Sequence, residues 1–167
     1  PVIKDEVINQ RAANLLKEHV ELLESRYKVQ AKPRDINFFY LGNGFRERIL
    51  ATDNGYKVNN RDLHFSEAQL LTKIDTHPEN FSPNVILRPL YQEMLLPNLA
   101  FVGGAGELSY WLELKPVMEY YKVNYPMLVM RNSAFILPVN FQTKMQKAGV
   151  CIKDLLGNTE QLIAQRA

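Results

Sequence analysis

The 167-residue sequence has one cysteine, Cys151, so no internal disulfide framework is available and a reducing, cytoplasmic setting is the expectation. Its three histidines, His19, His64 and His77, show no metal-ligand spacing, and no metal site is expected. Neither sign of charge dominates: 20 Lys and Arg stand against 18 Asp and Glu. That balance gives no basic stripe for nucleic acid and no polybasic anchor for a membrane surface. No apolar run reaches transmembrane length, and no signal-peptide core follows Lys4. There is no Walker loop and no nucleophile elbow. Asn80-Phe81-Ser82 matches a glycosylation sequon, but Pro83 follows it. The chain also lacks an initiator Met and opens mid-pattern, which leads to the expectation of a single α/β fragment, residues 1–167, of something longer.

What is present is a packed-core composition, 46% hydrophobic. Ile8, Ala12, Leu15, Leu16, Leu22 and Leu23 fall at helical spacing and predict one long helix over residues 2–27, with Pro33 beyond its end. Residues 36–60 predict a three-stranded antiparallel β meander, inserted between helical segments. Gly42-Asn43-Gly44 makes its first turn and Asp53-Asn54-Gly55 a type I′ hairpin. Ser66 with Gln69 predicts a capping box for a helix running to about Thr76. Pro89 suits the first turn of a further helix, closed by Pro97.

The pattern then changes. Leu99–Val102 and Met127–Met130 read as strands buried on both faces. A helix over residues 107–121 joins them, kinked where Pro116 deprives the Leu112 carbonyl of its partner. Strand, helix, strand at this spacing is a right-handed βαβ unit with parallel strands. Two parallel strands are few for a sheet that needs both faces covered, which again suggests a fragment. Residues 139–167 read as helical, broken at Gly149 and Gly157.

The strand-to-helix turn at Gly103, Gly104 and Gly106 is the most informative site. Glycines admit close backbone approach, and a helix N-terminus offers free N–H groups. Glu107 in the first turn would repel a phosphate and suits ribose hydroxyls or an ammonium group better. Tyr110 and Trp111 follow on the same helix; Trp111 could stack on a base or sit in the core. Arg131 directly follows the second strand, at the edge where open α/β sheets bind ligands. Arg88, Gln92 and Glu93 lie on the preceding helix, where ordinary surface placement is the alternative. Cys151, without a neighbouring His, is expected to be a small core residue.

The run Arg88-Pro89-Leu90-Tyr91-Gln92-Glu93-Met94-Leu95-Leu96-Pro97-Asn98-Leu99-Ala100-Phe101-Val102-Gly103-Gly104-Ala105-Gly106-Glu107-Leu108-Ser109-Tyr110-Trp111-Leu112-Glu113-Leu114-Lys115 resembles the signature of the bacillithiol biosynthesis cysteine-adding enzymes. The 37–58 hairpin region, His77-Pro78-Glu79-Asn80-Phe81-Ser82 and Met130-Arg131-Asn132-Ser133 resemble that family too, so the likeness covers most of the chain. Ala105 stands where the family often has Pro. The resemblance implies the middle portion of a ligase that joins cysteine to glucosaminyl malate. It also implies a partial, nucleotidyltransferase-like Rossmann core, and makes residues 139–167 the lead-in to a dimerising coiled coil. It makes Gly103, Gly104, Gly106, Glu107, Tyr110, Trp111, Arg88, Gln92 and Arg131 ligand-binding candidates, with catalytic residues unassigned. The cofactor stays open, an adenine nucleotide being the candidate. A free-standing α/β nucleotide-binding module and a non-catalytic structural or interaction domain are the competing readings.

Overall fold

A computed structural model describes residues 1–157 and 159–164, which divide into two units, Pro1–Arg131 and Asn132–Ala167. The first unit is α/β. It opens with two helices, α1 (Val2–Asn9) and α2 (Arg11–Glu24), where one long helix was expected. The break is Gln10, held in the left-handed region at φ 48° and ψ 44°. Glu6 stabilises it: its buried carboxylate accepts a 2.8 Å hydrogen bond from Ala12 N, one of the donors a new helix start leaves unsatisfied. The break resets the apolar stripe. Ala12, Leu16 and Val20 are buried, while Ile8 and Leu22 face outward.

The antiparallel sheet has five strands in the order β4-β3-β2-β1-β5. The expected meander supplies β1 (Phe38–Gly42), β2 (Phe45–Thr52) and β3 (Gly55–Val58). Two short strands, β4 (His64–Phe65) and β5 (Phe81–Pro83), extend it at either edge. The hairpin at Asp53-Asn54 forms with Thr52 opposite Gly55, but it is not type I′. Neither Asp53 nor Asn54 has positive φ; that conformation falls to Gly55, at φ 138°, whose close approach to the Phe65 carbonyl leaves no room for a Cβ. Alternation along the strands buries Phe38, Tyr40, Ile49, Tyr56, Val58 and Phe81 on one face. Helix α3 (Glu67–Thr76) contributes Leu70 and Ile74 to that core, and carries the expected capping box, with Ser66 N donating to Gln69 Oε1 at 2.8 Å and Gln69 N to Ser66 Oγ at 3.3 Å. Helix α4 (Arg88–Leu95), with Pro89 in its first turn, adds Leu90.

The βαβ unit follows. Strands β6 (Ala100–Gly103) and β7 (Met127–Met130) are parallel neighbours, paired Val102 to Val129 and Gly103 to Met130. They are not buried on both faces: Val102 is 61% exposed and Met127 67%. Among the described residues helices cover one side only. The connecting helix is two, α5 (Ala105–Glu113) and α6 (Lys115–Tyr120), with Pro116 in the first turn of α6. The Leu112 carbonyl that Pro116 leaves without its helical donor accepts instead from His19 Nε2 of α2, at 3.0 Å.

The second unit holds helices α7 (Val139–Lys147), α8 (Ile152–Leu155) and α9 (Thr159–Ala164), with Gly149 at φ 61° between the first two and Gly157 between the last two. Cys151 precedes α8 and is exposed, a correction to its expected core placement. Of the expected 139–167 helical run, residues 158 and 165–167 lie outside the described residues. Among the described residues no helix is long and apolar enough to cross a membrane.

Candidate functional site

The parallel register sets the geometry. Because Gly103 is opposite Met130, Gly104 and Arg131 both lie just beyond the carboxyl ends of their strands. Arg131 N donates to Gly103 O at 2.9 Å, continuing the ladder into the turn. Glu107 folds back over the start of α5, and its Oε2 accepts from Gly104 N at 2.9 Å. Arg131 Nη1 lies 3.6 Å from the same oxygen, both side chains remaining substantially exposed. The Arg131 guanidinium also runs alongside Gly104, so that a Cβ there would meet Nη2 at 3.0 Å. At Gly103 a Cβ would come within 2.7 Å of the Phe101 ring, while at Gly106 it would meet open space. Glycine is thus a packing requirement at position 103 and not at 106.

Beneath the turn, Trp111 stacks on Phe101 with centroids 4.4 Å apart and meets the Tyr125 ring edge-on at 6.0 Å. Tyr125 Oη donates to the Trp111 carbonyl at 2.6 Å. At 1% exposure Trp111 takes the core alternative, supporting β6, and is not an accessible stacking platform in this chain. Tyr110 is partly buried against the same core.

Along α5, Ala105, Leu108, Ser109 and Leu112 line a cavity of about 310 Å³ together with Met130 and Val29. Glu113 closes it. This glutamate is buried; its Oε1 accepts from Gln30 N at 3.1 Å and Ala31 N at 3.4 Å, and its Oε2 has no partner among the described residues. Burial raises its pKa, opposed by those two backbone donors.

Gly103, Gly104, Gly106, Glu107 and Arg131 therefore share one strand-end site. Arg88 and Gln92 do not share that turn. Arg88 lines a separate groove with Arg34, Phe39 and Arg46. Gln92 Nε2 donates to Glu93 Oε1 at 3.3 Å. Buried Glu93 in turn accepts from Asn98 N and Nδ2, at 2.8 and 2.9 Å, fixing the approach to β6. Surface placement, the alternative given for Glu93 with Arg88 and Gln92, is corrected for Glu93 by its burial; Glu6 and Glu113 carry no local signal beyond a carboxylate set among apolar residues. Among the described residues no cluster of three or more His, Cys, Asp or Glu could hold a metal ion.

A family model described as bacillithiol biosynthesis BshC, N-terminal Rossmann-like domain, matches residues 1–132. Among curated relatives, a protein of Flavobacterium psychrophilum named "Putative cysteine ligase BshC" is 44% identical over 163 residues, covering 98% of this chain and 30% of its own length. The proteins of the same name from Flavobacterium johnsoniae and Salinibacter ruber are 42% and 34% identical, over 98% and 84% of this chain. They are covered over 31% and 26% of their own lengths, so the chain spans about three tenths of these relatives. The match takes in the antiparallel sheet, the βαβ unit and the glycine turn together, and the chain belongs to the BshC family of bacillithiol biosynthesis.

Proposed function

We infer that this chain is part of a cysteine ligase that joins cysteine to glucosaminyl malate in bacillithiol synthesis, and that its glycine turn lines the nucleotide or substrate pocket of the whole enzyme. One observation carries the reading: Glu107 and Arg131 meet over Gly104 at the carboxyl ends of two parallel strands, where open α/β sheets bind ligands. The pair offers one acceptor and one cationic donor on an accessible surface. Glu107 remains exposed enough to take a ribose hydroxyl or a substrate ammonium, and Arg131 to take a carboxylate. Gly106 leaves the start of α5 open to approach, while Gly103 and Gly104 let the turn pack against Phe101 and Arg131. An adenine nucleotide is the cofactor class this arrangement suits. The exposed sheet face at Val102 and Met127 suits a larger domain, with dimerisation through a coiled coil, in the cytoplasm.

The test is Glu107→Gln in the full-length enzyme. Ligand affinity should fall by about 1.5–3 kcal/mol, the range for hydrogen bonds to charged groups. Unfolding stability should change by only about 0.3–1 kcal/mol, as for an exposed first-turn carboxylate. Unchanged affinity with a clear loss of thermal stability would make Glu107 a helix cap and the glycines a turn only. The 167-residue chain alone should not form bacillithiol, because catalysis needs converging groups and the chain spans about three tenths of its relatives.

A further inference from the structure

We propose that the groove between the segment before β1 and the start of α4 is a binding site for a small oxyanion carrying two or more negative charges. It lies apart from the glycine turn and does not depend on the role given to that turn. Three arginines from three different elements line it: Arg34 from the segment before β1, Arg46 from the outward face of β2, and Arg88 from the first position of α4. The groove measures about 530 Å³ and its lining includes no Asp or Glu. That volume falls in the range of about 300–1,000 Å³ usual for small-molecule sites.

None of the three arginines forms an ion pair among the described residues. Lys32, also at the groove, is paired with Glu24 at 2.6 Å. Converging like charges raise one another's energy, and an anion between them removes that cost. Guanidinium forks match phosphate and carboxylate oxygens two at a time, which a lone ammonium cannot do.

The Arg46 side chain and the backbones of the other two are held in place. The Arg46 guanidinium lies 3.7 Å from the Phe39 ring centroid, while Nε donates to Ser82 Oγ at 3.3 Å and Nη2 to Pro83 O at 3.1 Å. The backbones of Arg34 and Arg88 are tied through two asparagines. Arg34 N donates to Asn37 Oδ1 at 3.0 Å, and Asn84 Nδ2 donates to the same oxygen at 2.8 Å. Asn84 N donates to Asn37 O at 3.0 Å, and Arg88 N to Asn84 O at 2.9 Å. The two walls therefore keep a fixed spacing whether or not a ligand is bound, which lowers the ordering cost of binding.

Phosphate esters and dicarboxylates share this chemistry, and the experiment separates them. The full-length protein is titrated calorimetrically with inorganic pyrophosphate, inorganic phosphate and succinate at matched ionic strength, beside Arg34→Ala/Arg88→Ala and Arg34→Lys/Arg88→Lys variants. Saturable binding of pyrophosphate or succinate is expected, at least tenfold weaker in the alanine variant and intermediate in the lysine variant. Preference for one anion assigns the ligand's source. The unfolding temperatures of both variants without anion should stay near the parent's, since all three arginines are exposed. Absence of saturable binding by all three anions overturns the proposal, and so does equal binding by the parent and both variants.

Discussion

Glu6 Oε1 accepts two hydrogen bonds from one residue, Asn37, at 3.1 Å from its backbone N and 2.7 Å from Nδ2. With Oε2 on Ala12 N, a single buried carboxylate joins the α1–α2 break to the entry of the sheet. Asn37 passes the connection on to Asn84. Replacing Glu6 with Ala leaves three donors without that acceptor, at about 1–3 kcal/mol for each one left unsatisfied. Glu6→Ala should therefore lose at least about 3 kcal/mol in urea unfolding, and Glu6→Gln clearly less. Equal losses in the two variants would show that packing, not hydrogen bonding, sets the cost.

Burial raises the pKa of Glu113, as it does that of Glu6, against the backbone donors that favour ionisation. A carboxyl whose folded pKa lies above its ordinary value of 4.5 binds more protons folded than unfolded between those two values. Its contribution to stability is full below about pH 4.5, falls as pH rises toward the folded pKa, and is level above it. Glu113→Gln removes that titration. Relative to the parent, the variant should be more stable at about pH 8 than at about pH 4, measured by denaturant unfolding. A difference independent of pH would mean that Glu113 titrates normally in the fold.

Asp5 runs the other way. Burial acts to raise its pKa, but hydrogen bonds from Arg11, Asn9 and Tyr121 outweigh that and leave it lowered. Its contribution is present above its ordinary value of 3.8 and is lost as pH falls through the lowered one. Asp5→Asn should therefore weaken the fold at neutral pH and converge with the parent in strong acid. A constant gap down to about pH 2 would count against the assignment.

Gly106 separates the two views of the turn. It lies in the first turn of α5, and a Cβ there meets nothing within 4 Å. Gly106→Ala should stabilise the chain by about 0.4–1 kcal/mol, through helix propensity and the unfolded state. If ligand approaches this backbone closely, the same methyl weakens its binding in the full-length enzyme. Greater stability with unchanged ligand affinity would make Gly106 a bystander.

The pairing of His19 with the Leu112 carbonyl is open to a mutant cycle. His19→Ala should cost about 0.5–1.5 kcal/mol, the usual net worth of one hydrogen bond. Pro116→Ala restores the natural donor to that carbonyl, so the His19 effect should shrink in its presence. Strictly additive effects would separate the two residues.

Elements governed by near neighbours were legible in the sequence. Ser66 and Gln69 specify a helix start within four residues, Pro89 another, and the apolar runs around a helix-length crossover give the parallel pair. The helix break at Gln10 was not legible, because its stabilising acceptor works through Asn37, 31 residues away from Glu6. Strand burial was overestimated because apolar composition reports what a strand can cover, not what covers it. Within the candidate site, the turn and Arg131 fell together because strand register forces them to. Arg88 did not join them: its neighbours Arg34 and Arg46 are distant in sequence and meet only once the sheet has formed. Trp111 was ambiguous by nature, since one indole serves either a core or a platform.

The two-stranded sheet carries its own gauge. Among the described residues β6 and β7 pair only with each other. Met127 N reaches Leu99 O at 3.0 Å and Arg131 N reaches Gly103 O at 2.9 Å, so alternation along β7 aims the Leu128 and Met130 amides at the far edge. In deuterated water the Met127 and Arg131 amides should exchange slowly and those of Leu128 and Met130 fast. When another strand docks on that edge, the second pair should slow and the first pair scarcely change. Four amide clocks along β7 and the residue just past it thus time the growth of the sheet, residue by residue.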